Sequence, residues 1–252
     1  SDLLAHIDVG AGAYYQSVRA LFFHRPYHHM PISAMSFLYV RGLARSERHR
    51  DELTEVCQAA GVSVDAVLAE TASSPDLYAR VLDGSAEDDP YPATGAASGA
   101  LRKRADFREL LETKMGLGGE LVRDLGNLYS AALPAWIAAG LEEASETGID
   151  LTWASMVMVG YGSGDAAEAI PMTAVEGWQE AAKKIGFRQA LGRAIDLDLP
   201  QYEALHDGRD VTGLNLEPHD EFAILRVGEK YEASFQDLGV EYYGYVDGSS
   251  VR

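Results

Sequence analysis

Apolar positions cluster in a few sharply bounded segments, and their spacing separates strands from helices. Val18 to Phe23, "VRALFF", is an apolar run with little polar relief and predicts a buried strand. Pro26 and Pro31 punctuate a turn into "ISAMSFLYVRGLA", whose apolar spacing is helical, and helical patterns follow over Arg48 to Ala60 and Val62 to Glu70. The stretch Asp83 to Gly99, rich in Gly, Pro, Ser and Asp, predicts a loop. "LRKRADFRELLETKMG" predicts a basic-faced helix, and "GLGGE" breaks it. "VRDLGNLYSAALPAWIAAGLEEA" predicts a helix entered near Asn127 and running to about Glu146, with Ala and Gly spaced for close packing against another element. Ser155 to Val159 predicts a second buried strand, Gly160, Gly162 and Gly164 a flexible turn, and Ala166 to Met172 a return into a sheet. "EGWQEAAKKIGF" predicts a helix stopped at Gly186, and Phe222 to Val227 and Val240 to Val246 a pair of antiparallel strands. No internal repeat is visible. Alternating strands and helices define an α/β class: a mixed sheet covered by helices.

Composition narrows the class of protein. The 252 residues, 47% hydrophobic and 24% charged, suit a globular chain of one large domain or two small ones. No apolar run reaches the ~20 residues that span a bilayer. No signal peptide is visible at Ser1, the chain being either processed or lacking its beginning, and a lone cysteine fits a reducing compartment, most simply cytoplasm. The single cysteine, Cys57, excludes an intrachain disulfide; on an amphipathic helical pattern it reads as a small core residue. A net charge of −18 excludes nucleic acid as a partner. With lysine only at 103, 114, 183, 184 and 230, the acidic surface fits a salty habitat and a GC-rich genome equally well.

Candidate chemistry gathers at "FFHRPYHHM", where His24, His28 and His29 lie close together. His24 and His28 could share one helix face as zinc ligands, but Pro26 between them opposes a helix, and no nearby cysteine or H-E-x-x-H pattern completes a set, so no metal is expected. His28 and His29 read as polar loop residues. His24 ends an apolar strand, where ligand sites of α/β sheets lie, and its imidazole could donate to a substrate carbonyl. "GYGSG" lacks phosphate-loop spacing and is either a tight turn or a place where backbone N–H groups and Ser163 approach a ligand. Asn127 is either a helix cap or an amide donor to an oxyanion.

Three stretches in this order, "FFHRPYHHM", "RDLGNLYSAAL" and "VGYGSGDAAEAI", resemble the hydroxymethylglutaryl-CoA synthases, which belong to the thiolase-like condensing enzymes. In that family the stretches read approximately F-H-x-P-[FY]-x-K-M, G-N-x-Y-[ST]-x-S, and Y-G-S-G followed by a glutamate. The resemblance runs from about Arg19 to Trp178, with a weaker echo at "FAILRVGEKY". It implies a thiolase-like fold of two similar α/β halves, of which this chain, 1–252, is the C-terminal one. A helical or loop insertion is expected around 62–118.

The resemblance also implies roles. His24 would hydrogen-bond the acetoacetyl-CoA carbonyl and Asn127 share the oxyanion work. Pro26 and Tyr27 would shape the acyl tunnel. Tyr129, Tyr161, Gly162, Ser163 and Gly164 would line the thioester. His29 stands where the family has a lysine that meets CoA phosphates; 102–108, "RKRADFR", is either its replacement or a solvated helix face. Ala132 replaces a small hydroxyl residue. The nucleophilic cysteine and the acid/base glutamate would belong to an N-terminal half, on the same chain or another; Cys57 does not match. The implied substrates are coenzyme A thioesters with no further cofactor, the assembly a homodimer, and the reaction the acetyl-CoA plus acetoacetyl-CoA condensation of the mevalonate route to isoprenoids. A related enzyme using another acyl-CoA or carrier-bound thioester, and a non-catalytic half-thiolase scaffold, are the alternatives. A chain lacking its partner half is expected to expose apolar surface.

Overall fold

The computed structural model describes residues 11–85, 88–162, 166–192, 194–214 and 218–248. The chain forms two compact units, Ser1–Gly192 and Arg193–Arg252.

At the centre of the first unit is a three-stranded mixed sheet in the order β1-β2-β3. β1 (Ala20–Phe23) pairs in parallel with β2 (Ser155–Gly162), Ala20 opposite Met156 and Phe23 opposite Val159. β2 pairs antiparallel with β3 (Ala166–Thr173). All four residues of β1 are buried, as its unbroken apolar run requires. Gly160 to Gly162, expected in a turn, instead extend β2; the connection to β3 falls at 163–165, outside the described residues.

Around this sheet the chain runs α1 (Ala11–Ser17), α2 (His29–Ala44), α3 (Arg50–Ala60), α4 (Val64–Ala72), α5 (Leu77–Asp83), α6 (Pro92–Leu101), α7 (Ala105–Met115) and α8 (Ala132–Thr147). Two short helices, α9 (Trp178–Ala182) and α10 (Phe187–Leu191), follow β3. α2 begins before Pro31, because a proline in the first turn removes only an N–H that has no helical partner.

The predicted loop over Asp83 to Gly99 is corrected: its second half is α6. The segment has no large apolar side chain before Leu101, so its core face, Ala93, Thr94, Ala97 and Ser98, gives no strong periodic signal. Its cap also comes from elsewhere. Glu70, on α4, accepts from Ala93 N (2.9 Å), Thr94 N (2.7 Å) and Thr94 Oγ1 (2.7 Å), and a carboxylate there also complements the helix dipole. The small side chains let α6 lie against α2, α3 and α4 together.

The helix expected from Asn127 starts later. Asn127 Oδ1 accepts from Tyr129 N at 2.8 Å, a local turn that competes with helix, and Tyr129 has φ 50°. A short 3₁₀ turn, Tyr129–Ala131, then leads into α8. The close packing read from its Ala and Gly residues is present. A Cβ on Gly140 would lie 2.7 Å from Phe22 Cε1, and one on Gly118 (φ 69°) 2.3 Å from Gly140 N. Trp136 meets the Phe22 ring edge-on at 6.1 Å and donates from Nε1 to Leu117 O at 2.9 Å. Gly186 does follow a helix, with φ 65°, but it leads directly into α10, whose first amides, Phe187 N and Arg188 N, bond the buried Glu142 carboxylate at 2.5 and 2.8 Å.

The second unit holds α11 (Leu199–His206) and an antiparallel ribbon of β4 (Glu221–Val227) and β7 (Glu241–Val246), with the short pair β5 (Tyr231–Glu232) and β6 (Phe235–Gln236) between them. Asp237 knots the ribbon: it accepts from Lys230 N at 2.8 Å, Tyr242 Oη at 3.0 Å and Arg226 Nη1 at 3.2 Å. These donors, the Lys230 amide foremost, hold its carboxyl below the usual range.

Gly118→Ala should lower the unfolding free energy by about 3 kcal/mol, since it combines a left-handed backbone with overlap onto α8. Gly61→Ala, with φ 69° but nothing within 4 Å, should lose only about 1 kcal/mol. Urea unfolding of the two variants measures the difference.

Candidate active site

Strand pairing builds the site. His24 N donates to Val159 O at 2.7 Å, so the parallel ladder continues one residue past β1. That register carries the half-buried His24 ring to 6.1 Å from the ring of Tyr161, two residues further along β2. The first and third sequence motifs therefore meet at the C-terminal end of the parallel pair.

The second motif arrives through Arg25. This side chain is only 8% exposed. Its Nη1 donates to Gly119 O at 2.8 Å and its Nη2 to His28 Nδ1 at 2.7 Å, with the guanidinium carbon 5.0 Å from the centre of the Trp136 ring. Together with Gly126, Leu128 and Ala132, the residues flanking Asn127 and opening α8, Arg25 also walls a very small cavity. Asn127 is exposed and commits its Oδ1 to Tyr129 N, which leaves the amide NH₂ as a donor.

The other expected site residues differ in exposure and placement. Pro26 is half-buried, while Tyr27, Tyr129 and Tyr161 are exposed, Tyr129 by 74%. Gly162 ends β2. Ser163 and Gly164 lie outside the described residues. His29 opens α2 with its ring 5.0 Å from that of His28. In the basic run, Arg102 bonds Ser36 Oγ at 3.1 Å and Arg104 pairs with Asp106 at 2.5 Å; both precede α7, so the expected basic helix face is not continuous. Arg108 stands at a cleft beside His28. Cys57 is buried on α3, and burial pushes its thiol pKa up, the opposite of what a nucleophile needs. Among the described residues no three His, Cys, Asp or Glu side chains gather as metal ligands.

Sequence reading passed over Arg25, because an arginine is ordinarily taken as a surface residue. The available signal was its place directly after an unbroken buried strand.

Burial lowers the pKa of His28, and the charges of Arg25, His29 and Arg123 add to the effect, against Glu120. A histidine with a depressed folded-state pKa contributes stability that is fully present above its unfolded pKa of about 6.5 and is lost as pH falls from there toward the folded value. Thermal melts should show stability declining as pH falls below about 6.5, and His28→Gln should flatten that slope.

No protein-family model matches the chain, and no curated protein sequence does. Solved structures do. "MvaS in complex with 3-hydroxy-3-methylglutaryl coenzyme A" superposes with a TM-score of 0.56 at 18% identity, covering 96% of this chain and 45% of that one. "PksG, a HMG-CoA Synthase from Bacillus subtilis" gives 0.44 at 16% identity, over 77% and 33%. The curacin-pathway HMG synthase in complex with holo donor-ACP gives 0.44 at 15%, over 97% and 50%. The chain thus spans about half the length of the structures it matches or less. The resemblance carried by three short motifs is matched in three dimensions: over the stretch it covers, the chain has the fold of the hydroxymethylglutaryl-CoA synthases.

Proposed function

We propose that the chain is the C-terminal part of a thiolase-like condensing enzyme of the hydroxymethylglutaryl-CoA synthase type. The observation that carries this reading is the meeting of His24 with Tyr161 at the end of the β1–β2 ladder, on a fold shared with the HMG-CoA-bound structure. In this reading a partner half, on the same polypeptide or another, brings a cysteine that carries an acetyl group and a glutamate that removes a methyl proton. The carbanion attacks the ketone of acetoacetyl-CoA and forms the new C–C bond. The ketone oxygen takes up a proton, and water cleaves the thioester to the cysteine. Acetyl-CoA, acetoacetyl-CoA and water thereby become hydroxymethylglutaryl-CoA and CoA, the step that would place the protein on the mevalonate route.

This chain's share is electrostatic. Negative charge builds on the ketone oxygen as the bond forms, and an imidazole N–H from His24 and the amide NH₂ of Asn127 would meet it, each worth ~3–4 kcal/mol in the transition state. The sole cysteine, Cys57, is 1% exposed, so the acyl carrier must come from the partner half. Exposed Tyr27, Tyr129 and Tyr161, close in sequence or space to His24 and Asn127, support a surface made to be covered by that half and by substrate.

One observation favours a second substrate form. His29, exposed at the start of α2, replaces a lysine that would meet CoA phosphates, and an acyl group on a carrier protein has less need of that contact.

In the complete enzyme, His24→Ala should reduce kcat by roughly 10²–10³-fold, with a similar loss for Asn127→Ala. CoA release from acetyl-CoA and acetoacetyl-CoA, compared with carrier-bound acyl groups, measures both the loss and the substrate form. Near-full activity of His24→Ala would remove it from the site.

A further inference from the structure

A second cleft opens at Arg25 and His28, beside the candidate site. It has a volume of about 420 Å³ and lies between α2, α7, the 116–120 turn and α8. None of His24, Asn127 and Tyr161 lines it. Its buried charge is the Arg25 guanidinium.

Arg25 has no carboxylate in direct contact among the described residues, although the charge of Glu120 acts on it from a distance. Among the described residues it makes no ion pair within 4 Å, and its two hydrogen bonds go to neutral acceptors, Gly119 O and His28 Nδ1. A guanidinium has five N–H donors, so three remain. Burying such a group is costly unless a matching anion completes it. Burial correspondingly depresses the Arg25 pKa. Because Nδ1 of His28 accepts from Arg25, the neutral ring carries its proton on Nε2 and has one further donor to offer.

The other charges of the cleft, Arg108, Glu112 and Glu120, are all exposed, and Glu120 already pairs with Arg123 at 3.1 Å. Solvent screens them, so the buried cation decides which sign of ligand the floor accepts. The walls are apolar: Pro31, Ile32, Leu111 and Met115. A neutral ligand would leave the cation uncompensated. A phosphate dianion would need more than one fixed cation and no apolar wall. The volume is that of a small-molecule site.

We infer that this cleft binds a small monocarboxylate with an apolar body, its carboxylate on Arg25 and its carbon chain against Ile32, Leu111 and Met115. A planar carboxylate matches the planar guanidinium, which has N–H donors beyond the two already used. The inference stands apart from the condensing-enzyme reading: it concerns other residues and needs no turnover.

The test is a titration of the isotope-labelled full chain with sodium hexanoate, hexan-1-ol and inorganic phosphate in separate arms, followed at the Trp136 indole N–H and the Met115 methyl. Expected are saturable 1:1 shifts with hexanoate and at least tenfold weaker binding of the alcohol and of phosphate. Arg25→Gln should weaken hexanoate at least thirtyfold. Ile32→Trp, which fills the apolar wall and leaves Arg25 in place, should abolish it while the rest of the spectrum stays unchanged, and it decides the matter if Arg25→Gln does not fold. Absence of saturable shifts, equal binding of hexan-1-ol or phosphate, or undiminished hexanoate binding by Ile32→Trp would overturn the inference.

Discussion

The first unit depends on the parallel pairing of β1 with β2. A parallel pair cannot be closed by a hairpin, so the chain between Phe23 and Ser155 is one long crossover that must return to the same sheet. A four-residue strand buried on every side also needs cover from more than one element. α8 supplies part of it, brought close by Gly140 against Phe22, with the 116–119 turn laid on its back at Gly118. The same pairing sets the chemistry, because the register that places Phe23 opposite Val159 also places His24 beside Tyr161.

Legibility in the sequence followed the reach of the forces involved. β1, β2, β4 and β7 were readable because burial or alternation is written locally in their side chains. α6 was not: its side chains are small and its cap, Glu70, lies on another helix. The start of α8 was misjudged for a local reason, since the Asn127 side chain bonds the second amide beyond it and holds the chain out of helix. Glycines at 160 and 162 suggested a turn, but pairing with Glu168 and Ala166 keeps them in the strand.

The three neighbouring histidines separate by environment. His24 is held by the β ladder and meets the third motif. His28 serves as acceptor for a buried arginine, a role that needs its ring neutral. His29 stacks edge-on against it at the mouth of α2. The sequence could propose the first from its place at a strand end. The family resemblance set His29 apart, at the place of a lysine, but the role of His28 was not legible, because it depends on Arg25, and the burial of Arg25 depends on Gly119 and Trp136, far along the chain.

The β1–β2 pairing has a consequence for biosynthesis. β1 leaves the ribosome long before β2 has been made; at 5–20 residues per second the interval is roughly ten seconds. Throughout it, "ALFF" lacks β2, its partner among the described residues, although the helices that follow it can already form from local contacts. The nascent chain therefore presents an apolar strand to whatever surrounds it. Its emergence is the stage at which a holding chaperone, or transient cover by α2 and α8, would matter most for yield.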